Sequence, residues 1–116
     1  MSDITIYHNP RCSKSRQTLE LLGNQGVEPE IVEYLKTPPD AEQLAEILDL
    51  LGLQPRELMR TNEAEYRDNG LDDPELSRAQ LIQAMVDHPG LIQRPIVLCN
   101  GKAALGRPPE SVLEIL

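Results

Sequence analysis

Apolar and polar positions alternate at the start of the chain and then change to a helical repeat. Ile4 and Ile6 flank a polar residue, which predicts a strand over residues 3–7. The polar sequence His-Asn-Pro breaks that strand. Beyond it, apolar residues recur at helical spacing, which predicts a helix over about 13–24 with Ser13 as its N-cap. A second strand is predicted over about 29–34, so the chain begins as β-α-β.

The middle of the chain has a helical pattern interrupted by charged and turn-forming residues. Asp40 is a suitable N-cap for an apolar-periodic helix that Gly52 ends. Ser77 is expected to cap a second helix, which runs to His88 before a Pro-Gly pair. The charged segment between these helices contains Asn-Gly and Asp-Pro, which predicts short helical turns joined by loops.

The last quarter of the chain predicts a β-hairpin followed by a helix. The apolar run 96–99 and the segment 102–105 flank Asn100-Gly101, a dipeptide typical of a type I′ turn. A final helix is predicted over about 109–116. The order βαβ, helices, ββα predicts an α/β fold with a four-stranded mixed sheet and a helical insertion at about 40–90.

Composition limits the classes of protein to which the chain can belong. Its 116 residues suit a single domain, and its net charge of −8 argues against binding nucleic acid or anionic membranes. A few converging arginines could still bind a small anion. No apolar run approaches the length of a membrane span and the N-terminus lacks signal-peptide features, so we expect a cytoplasmic protein, and a monomer. Two histidines and two dispersed cysteines do not predict a metal site.

Cys12 carries the strongest chemical signal in the chain. It lies at a strand-to-helix turn, where unpaired backbone N–H groups and the helix dipole favour the thiolate. Arg11, Lys14 and Arg16 add positive charge nearby, which further favours the reactive form of cysteine. The alternative is that Cys12 is an inert small apolar residue. Cys99 lies in the apolar run 96–99 and is expected in the core, and in a reducing cytosol both thiols should be free.

Several segments together resemble one enzyme family. The segments YHNPRCSKSRQTLELL, EYLKTPPD, RELMR, LIQAMVDHPGLIQRPIV and GRPPESVLEIL are similar to those of the arsenate reductases that couple to glutaredoxin and glutathione, the ArsC family. The resemblance covers nearly the whole chain. It implies a thioredoxin-like fold, in which βαβ and ββα halves form one sheet.

The resemblance also implies a role for each matching residue. Cys12 would be the catalytic nucleophile, and three arginines would bind the substrate oxyanion: Arg60, Arg94 and Arg107. His8 and Ser15 would support the thiolate. Pro95 would follow a cis peptide bond. Arginine suits such a site because its planar guanidinium presents several donors to a tetrahedral anion.

The implied reaction is reduction of arsenate to arsenite through a thioarsenate adduct on Cys12, with glutathione as co-substrate, glutaredoxin as partner and no bound cofactor. Two alternatives remain open. One is a thiol-disulfide or deglutathionylating reductase that uses a single cysteine. The other is a non-catalytic regulatory module similar to Spx-type proteins, although those carry C-x-x-C where this chain has Ser15 as the second residue of the pair.

Overall fold

The computed structural model describes residues 4–116, which form two compact units. One unit contains the chain up to residue 37 together with residues 94–116, and the other contains residues 38–93. The predicted insertion at about 40–90 therefore corresponds to the second unit, and a single domain stays a prediction. Residue 3, with which the first strand was predicted to start, lies outside the described residues. Within residues 4–116, no helix is long and apolar enough to cross a membrane.

The first unit is a four-stranded mixed sheet with two helices. Its elements are β1 (Ile4–His8), α1 (Ser13–Asn24), β2 (Glu30–Glu33), β3 (Ile96–Cys99), β4 (Lys102–Leu105) and a 3₁₀ helix (Pro109–Ile115). The strand order is β2-β1-β3-β4, with β1 parallel to β2 and antiparallel to β3, and β3 antiparallel to β4. This is the mixed sheet that the sequence predicts.

The β3–β4 hairpin has the predicted turn chemistry. Asn100 and Gly101 both have positive φ angles, 52° and 76°, as a type I′ turn requires. The resulting register pairs Ile96 with Leu105. The residues that precede β3 and those that follow β4 are therefore brought to the same end of the sheet.

A small aliphatic core holds this unit together. Ile6, Leu22, Val97 and Val112 are fully buried and pack as one cluster. They come from β1, α1, β3 and the C-terminal 3₁₀ helix, so the cluster fixes α1 against the sheet. The position at which β1 ends and α1 begins is thereby rigidly supported.

Two details of the helices differ from the sequence prediction. Ser13 was predicted to cap α1, but Cys12 is the N-cap residue: its backbone is extended (φ −95°, ψ 123°) and its carbonyl accepts the N–H of Arg16 at 3.0 Å. Ser13 is the first helical residue. The last helix is a 3₁₀ helix, which begins at Pro109, the second of two consecutive prolines.

The second unit is helical. Its elements are α2 (Ala41–Leu51), α3 (Pro55–Leu58), α4 (Ala64–Asp68), α5 (Arg78–Asp87) and a 3₁₀ helix (Pro89–Leu91). The predicted caps are confirmed, since the side chains of Asp40 and Ser77 each accept a backbone N–H in a capping box. Gly52 ends α2 in a left-handed conformation, as predicted. Both α2 and α3 pack against α5.

Candidate active site

The loop between β1 and α1 is a tight turn organised by Asn9. The Asn9 side-chain oxygen accepts the N–H of Arg11 at 3.0 Å, and the Asn9 backbone carbonyl accepts the N–H of Cys12 at 3.0 Å. The chain thus reverses directly after the strand. As a result, Cys12 is held at the first turn of α1, where the backbone N–H groups lack intrahelical partners.

The environment of Cys12 favours its thiolate. Partial burial raises the pKa of this thiol, but hydrogen bonding by the Ser15 backbone N–H, by the Arg94 side chain and by the Lys14 backbone N–H, together with the positive charge of Arg94, outweighs it. The net effect is a Cys12 pKa below the ordinary value of 9.0. The sequence-based expectation of an activated thiol agrees with this direction.

Two arginines from the ends of the hairpin converge on the Cys12 sulfur. Arg94 precedes β3 and hydrogen-bonds the sulfur through its side chain. Arg107 follows β4, and its Nη2 lies 3.7 Å from the Cys12 Sγ. The Arg94 Nε is buried and has no hydrogen-bond partner within residues 4–116. Two guanidinium groups, one with an unused donor, therefore surround a thiolate.

Gly106 permits a close approach behind these arginines. A Cβ at this position would lie 2.6 Å from the Pro95 Cγ and would also clash with the Thr18 hydroxyl. The Gly106 N–H donates to the Pro95 carbonyl at 2.9 Å, and the Thr18 hydroxyl donates to the Lys14 carbonyl at 2.8 Å. The Arg94–Pro95 peptide bond is cis. The segment before Arg107 is thus packed directly against α1 and Pro95.

His8 and Ser15 form a buried polar pair beneath the loop. The Ser15 Oγ lies 2.6 Å from the His8 Nδ1 and also accepts the N–H of Asn9 at 3.0 Å. The Ser15 side chain is fully buried. Its hydroxyl therefore ties the end of β1 to the first turn of α1, while its backbone N–H is the group that stabilises the thiolate.

Burial is the main influence on the pKa of His8. Desolvation lowers its pKa below 6.5, the nearby Glu33 carboxylate raises it and Arg16 lowers it, and the net direction is down. The lowered pKa favours the neutral ring over the cation. Any support that His8 gives to Cys12 then comes through the hydrogen bond with Ser15 rather than through positive charge.

Arg60 lies in the second unit, at the end of the segment after α3. Its backbone N–H donates to the Leu91 carbonyl at 2.7 Å, next to a β-bridge between Met59 and Ile92. Its guanidinium forms an ion pair with Glu63 at 2.6 Å. Its side chain is 28% exposed. Its part in oxyanion binding stays a prediction.

Comparison with known proteins identifies the family. The profile of the ArsC family matches residues 7–115. The chain belongs to the ArsC family. It is 60% identical over 114 residues to YfgD of Escherichia coli K12, covering 97% of this chain and 96% of that protein. It is 50% identical over 117 residues to a Neisseria meningitidis serogroup A protein named arsenate reductase, covering all of both chains.

Solved structures of this family have the same fold. The structure titled arsenate reductase from Vibrio cholerae superimposes with a TM-score of 0.95 at 54% identity, and covers 97% of each chain. The thioredoxin-like fold predicted from the sequence is therefore confirmed.

Several residues of this ArsC-family site were not singled out from the sequence. Asn9 could have been, because asparagine after a strand commonly accepts backbone N–H groups in a turn. Gly106 and Thr18 could not, since only the packed structure shows their close approach to Pro95. Cys99 is a buried free thiol in β3, as expected. Within residues 4–116, no three side chains of the types that commonly bind metal are clustered.

Proposed function

We propose that this chain is an arsenate reductase whose nucleophile is Cys12. The observation that carries the proposal is the convergence of Arg94 and Arg107 on a thiol whose pKa is lowered. A thiolate attacks an oxyanion only if nearby positive charge offsets their repulsion, and guanidinium groups do so while donating hydrogen bonds. The Neisseria protein named arsenate reductase, 50% identical over its full length, supports this choice of substrate.

In the first step, the Cys12 thiolate attacks arsenic(V) in the bound arsenate. A sulfur–arsenic bond forms, an arsenic–oxygen bond breaks, and the departing oxygen leaves as water after taking up protons. Arg94 and Arg107 bind the remaining oxygens through their guanidinium groups. Arg60 is assigned as the third oxyanion-binding arginine on the basis of the family motif. Oxidation states do not change in this step.

In the second step, a glutathione thiolate attacks the sulfur of Cys12. A disulfide forms between Cys12 and glutathione, the sulfur–arsenic bond breaks, and its electron pair stays on arsenic, which becomes trivalent and leaves as arsenite. Two thiols have then supplied two electrons. Glutaredoxin takes the glutathionyl group by thiol-disulfide exchange and restores the Cys12 thiolate.

The resolving thiol is assigned to a separate molecule because of the residues around Cys12. Ser15 occupies the position at which a C-x-x-C pair would have its second cysteine. The only other cysteine, Cys99, is buried in β3 and free. An external thiol also fits a reducing compartment, and we place the enzyme in the cytoplasm as a monomer.

The test is oxidation of NADPH in a mixture of glutathione, glutathione reductase, glutaredoxin and arsenate. We expect arsenate-dependent turnover that is abolished by Cys12→Ser and retained by the matched variant Cys99→Ala, since Cys99 takes no part in the scheme. Circular dichroism of both variants controls for folding. Substantial arsenate-dependent turnover in Cys12→Ser would refute the assignment of the nucleophile.

A second candidate is a deglutathionylating reductase that uses Cys12 alone. The lowered Cys12 pKa favours it, because the thiolate is also the species that attacks a mixed disulfide. Turnover of a glutathionylated peptide without any turnover of arsenate would select this activity. Association with RNA polymerase, the partner that a resemblance to Spx-type proteins implies, would instead select the regulatory module if neither activity is found.

A further inference from the structure

A cavity of about 380 Å³ lies beside the Cys12 loop. Its walls come from the end of β1 with the loop that follows it and from the segment around the end of β2: His8, Asn9, Pro10, Arg11, Glu33, Leu35 and Lys36. The volume lies within the range typical of small-molecule sites, about 300–1,000 Å³. Arg11, which lines the cavity, is the chain neighbour of Cys12.

The charges of the cavity wall are mixed. Arg11 and Lys36 are cations, and Glu33 is an anion whose carboxylate lies 3.7 Å from the Lys36 amine. The side chains of Lys36 and Glu33 are 80% and 44% exposed, so this ion pair is weak and both groups can take other partners. Leu35 adds an apolar surface that is 45% exposed.

We propose that this cavity binds the peptide part of the thiol that resolves the Cys12 adduct. The proposal rests on the function proposed above only in taking glutathione as that thiol. Glutathione has a cysteinyl thiol between two charged ends. One end carries a carboxylate and an ammonium group, and the other end carries a second carboxylate. The cavity offers the complementary set, with Arg11 and Lys36 for the carboxylates and Glu33 for the ammonium group. Leu35 provides a contact for the aliphatic parts of the tripeptide.

Binding of the thiol and binding of the oxyanion then use different side chains. The guanidinium groups that contact the Cys12 sulfur belong to Arg94 and Arg107, and neither lines the cavity. Because Arg11 adjoins Cys12 in the chain, we expect a peptide thiol seated against Arg11 to approach the sulfur while the oxyanion remains held by the arginines. This separation suits a reaction in which both reactants meet at one sulfur atom.

The cavity can be tested without arsenate by following exchange with a disulfide. The Cys12 thiolate attacks one sulfur of glutathione disulfide, a mixed disulfide forms and glutathione thiolate leaves, so one disulfide bond is exchanged for another. The same reaction with hydroxyethyl disulfide, which has no charged groups, reports the intrinsic reactivity of Cys12. The ratio of the two rate constants cancels any effect of a substitution on the thiol pKa.

We compare the double variant Arg11→Gln/Lys36→Gln with Arg67→Gln/Lys102→Gln, which removes the same charge from exposed residues outside the cavity. The first should lower the ratio about tenfold, because two charge-assisted contacts are lost. The control should leave it unchanged. Glu33→Gln should lower the ratio for glutathione disulfide but not for a deaminated analogue of it.

The outcomes separate this inference from the proposed function. An equal ratio in both double variants would overturn the cavity assignment even if arsenate turnover is normal. A tenfold fall confined to Arg11→Gln/Lys36→Gln would support the cavity even if the chain does not turn over arsenate, in which case the reductase proposal fails and the thiol site stands.

Discussion

The Nε–H of Arg107 donates a 2.7 Å hydrogen bond to the backbone carbonyl of Arg94. This bond ties the side chain of Arg107 to the backbone of Arg94, the other arginine at the Cys12 sulfur. The hairpin register explains their meeting: because Ile96 pairs with Leu105, Arg94 and Arg107 lie two residues beyond the paired ends of β3 and β4. The proposed oxyanion site thus draws on two positions that are 13 residues apart in the chain.

The Arg107 guanidinium contacts both the Arg94 carbonyl and the Cys12 sulfur, and we expect Arg107→Lys to lose one of these contacts. Lysine keeps the charge, but a single ammonium group cannot reproduce both the bond to the Arg94 carbonyl and the contact with the sulfur. Arsenate turnover should fall roughly 10- to 100-fold, the loss expected for a charge-assisted hydrogen bond of about 1.5–3 kcal/mol. The pH midpoint of Cys12 alkylation by iodoacetamide should rise, because the 3.7 Å contact between the Arg107 guanidinium and the sulfur is weakened.

Arg78→Lys is the matched control for this substitution. Arg78 and Asp49 both belong to the unit of residues 38–93, where they form an exposed ion pair. It should change neither turnover nor the alkylation midpoint. If Arg107→Lys, like Arg78→Lys, changes neither arsenate turnover nor the alkylation midpoint, the contact between Arg107 and the sulfur is not required for activity.

The Ser15 hydroxyl is expected to matter for stability more than for the thiolate. Ser15→Ala leaves the His8 ring nitrogen and the Asn9 N–H without their buried partner, which should lower the free energy of unfolding by about 1–3 kcal/mol. The backbone N–H that lowers the Cys12 pKa remains. Urea denaturation measures the first effect, and the alkylation profile should shift less than in Arg107→Lys. An equal shift would show that the hydroxyl acts on the sulfur.

The elements were more predictable from sequence than the contacts of the site. The caps Asp40 and Ser77 and the Asn100-Gly101 turn follow from local chemistry, and all three were predicted correctly. Ser13 was mistaken for a cap because serine usually is one, whereas the turn made by Asn9 starts the helix one residue earlier. The lowered pKa of His8 depends on burial, which a local sequence pattern does not report.

Gly106 is expected to be intolerant of a methyl group. Gly106→Ala places a Cβ against Pro95 and the Thr18 hydroxyl, so the segment that carries Arg107 must shift or the neighbours must give way. Overpacking of this kind costs about 1–3 kcal/mol. Thermal unfolding and the alkylation profile of Cys12 measure the stability and the displacement. We expect Gly106→Ala both to lower the stability and to change the alkylation profile of Cys12.

Gly23→Ala provides the control for that substitution. A Cβ at Gly23 meets no atom within 4 Å, and the residue lies in α1, so alanine should stabilise the protein by up to about 1 kcal/mol. Opposite signs for the two substitutions are the expected result. A neutral effect of Gly106→Ala would mean that the close approach to Pro95 is not required.

The buried His8 should make stability depend on pH in a definite direction. Its pKa in the folded protein lies below 6.5, so between that pKa and 6.5 the unfolded chain binds more protons. The free energy of unfolding should therefore be fully retained above pH 6.5 and fall as the pH is lowered through this window. His8→Gln should remove that part of the dependence, and the difference between the two denaturation curves isolates it from the carboxylates.

The substitution Glu33→Gln should lower the His8 pKa further, because the Glu33 carboxylate raises it. NMR titration of the imidazole protons measures this, and an upward shift would contradict the assignment of Glu33 as the neighbouring charge.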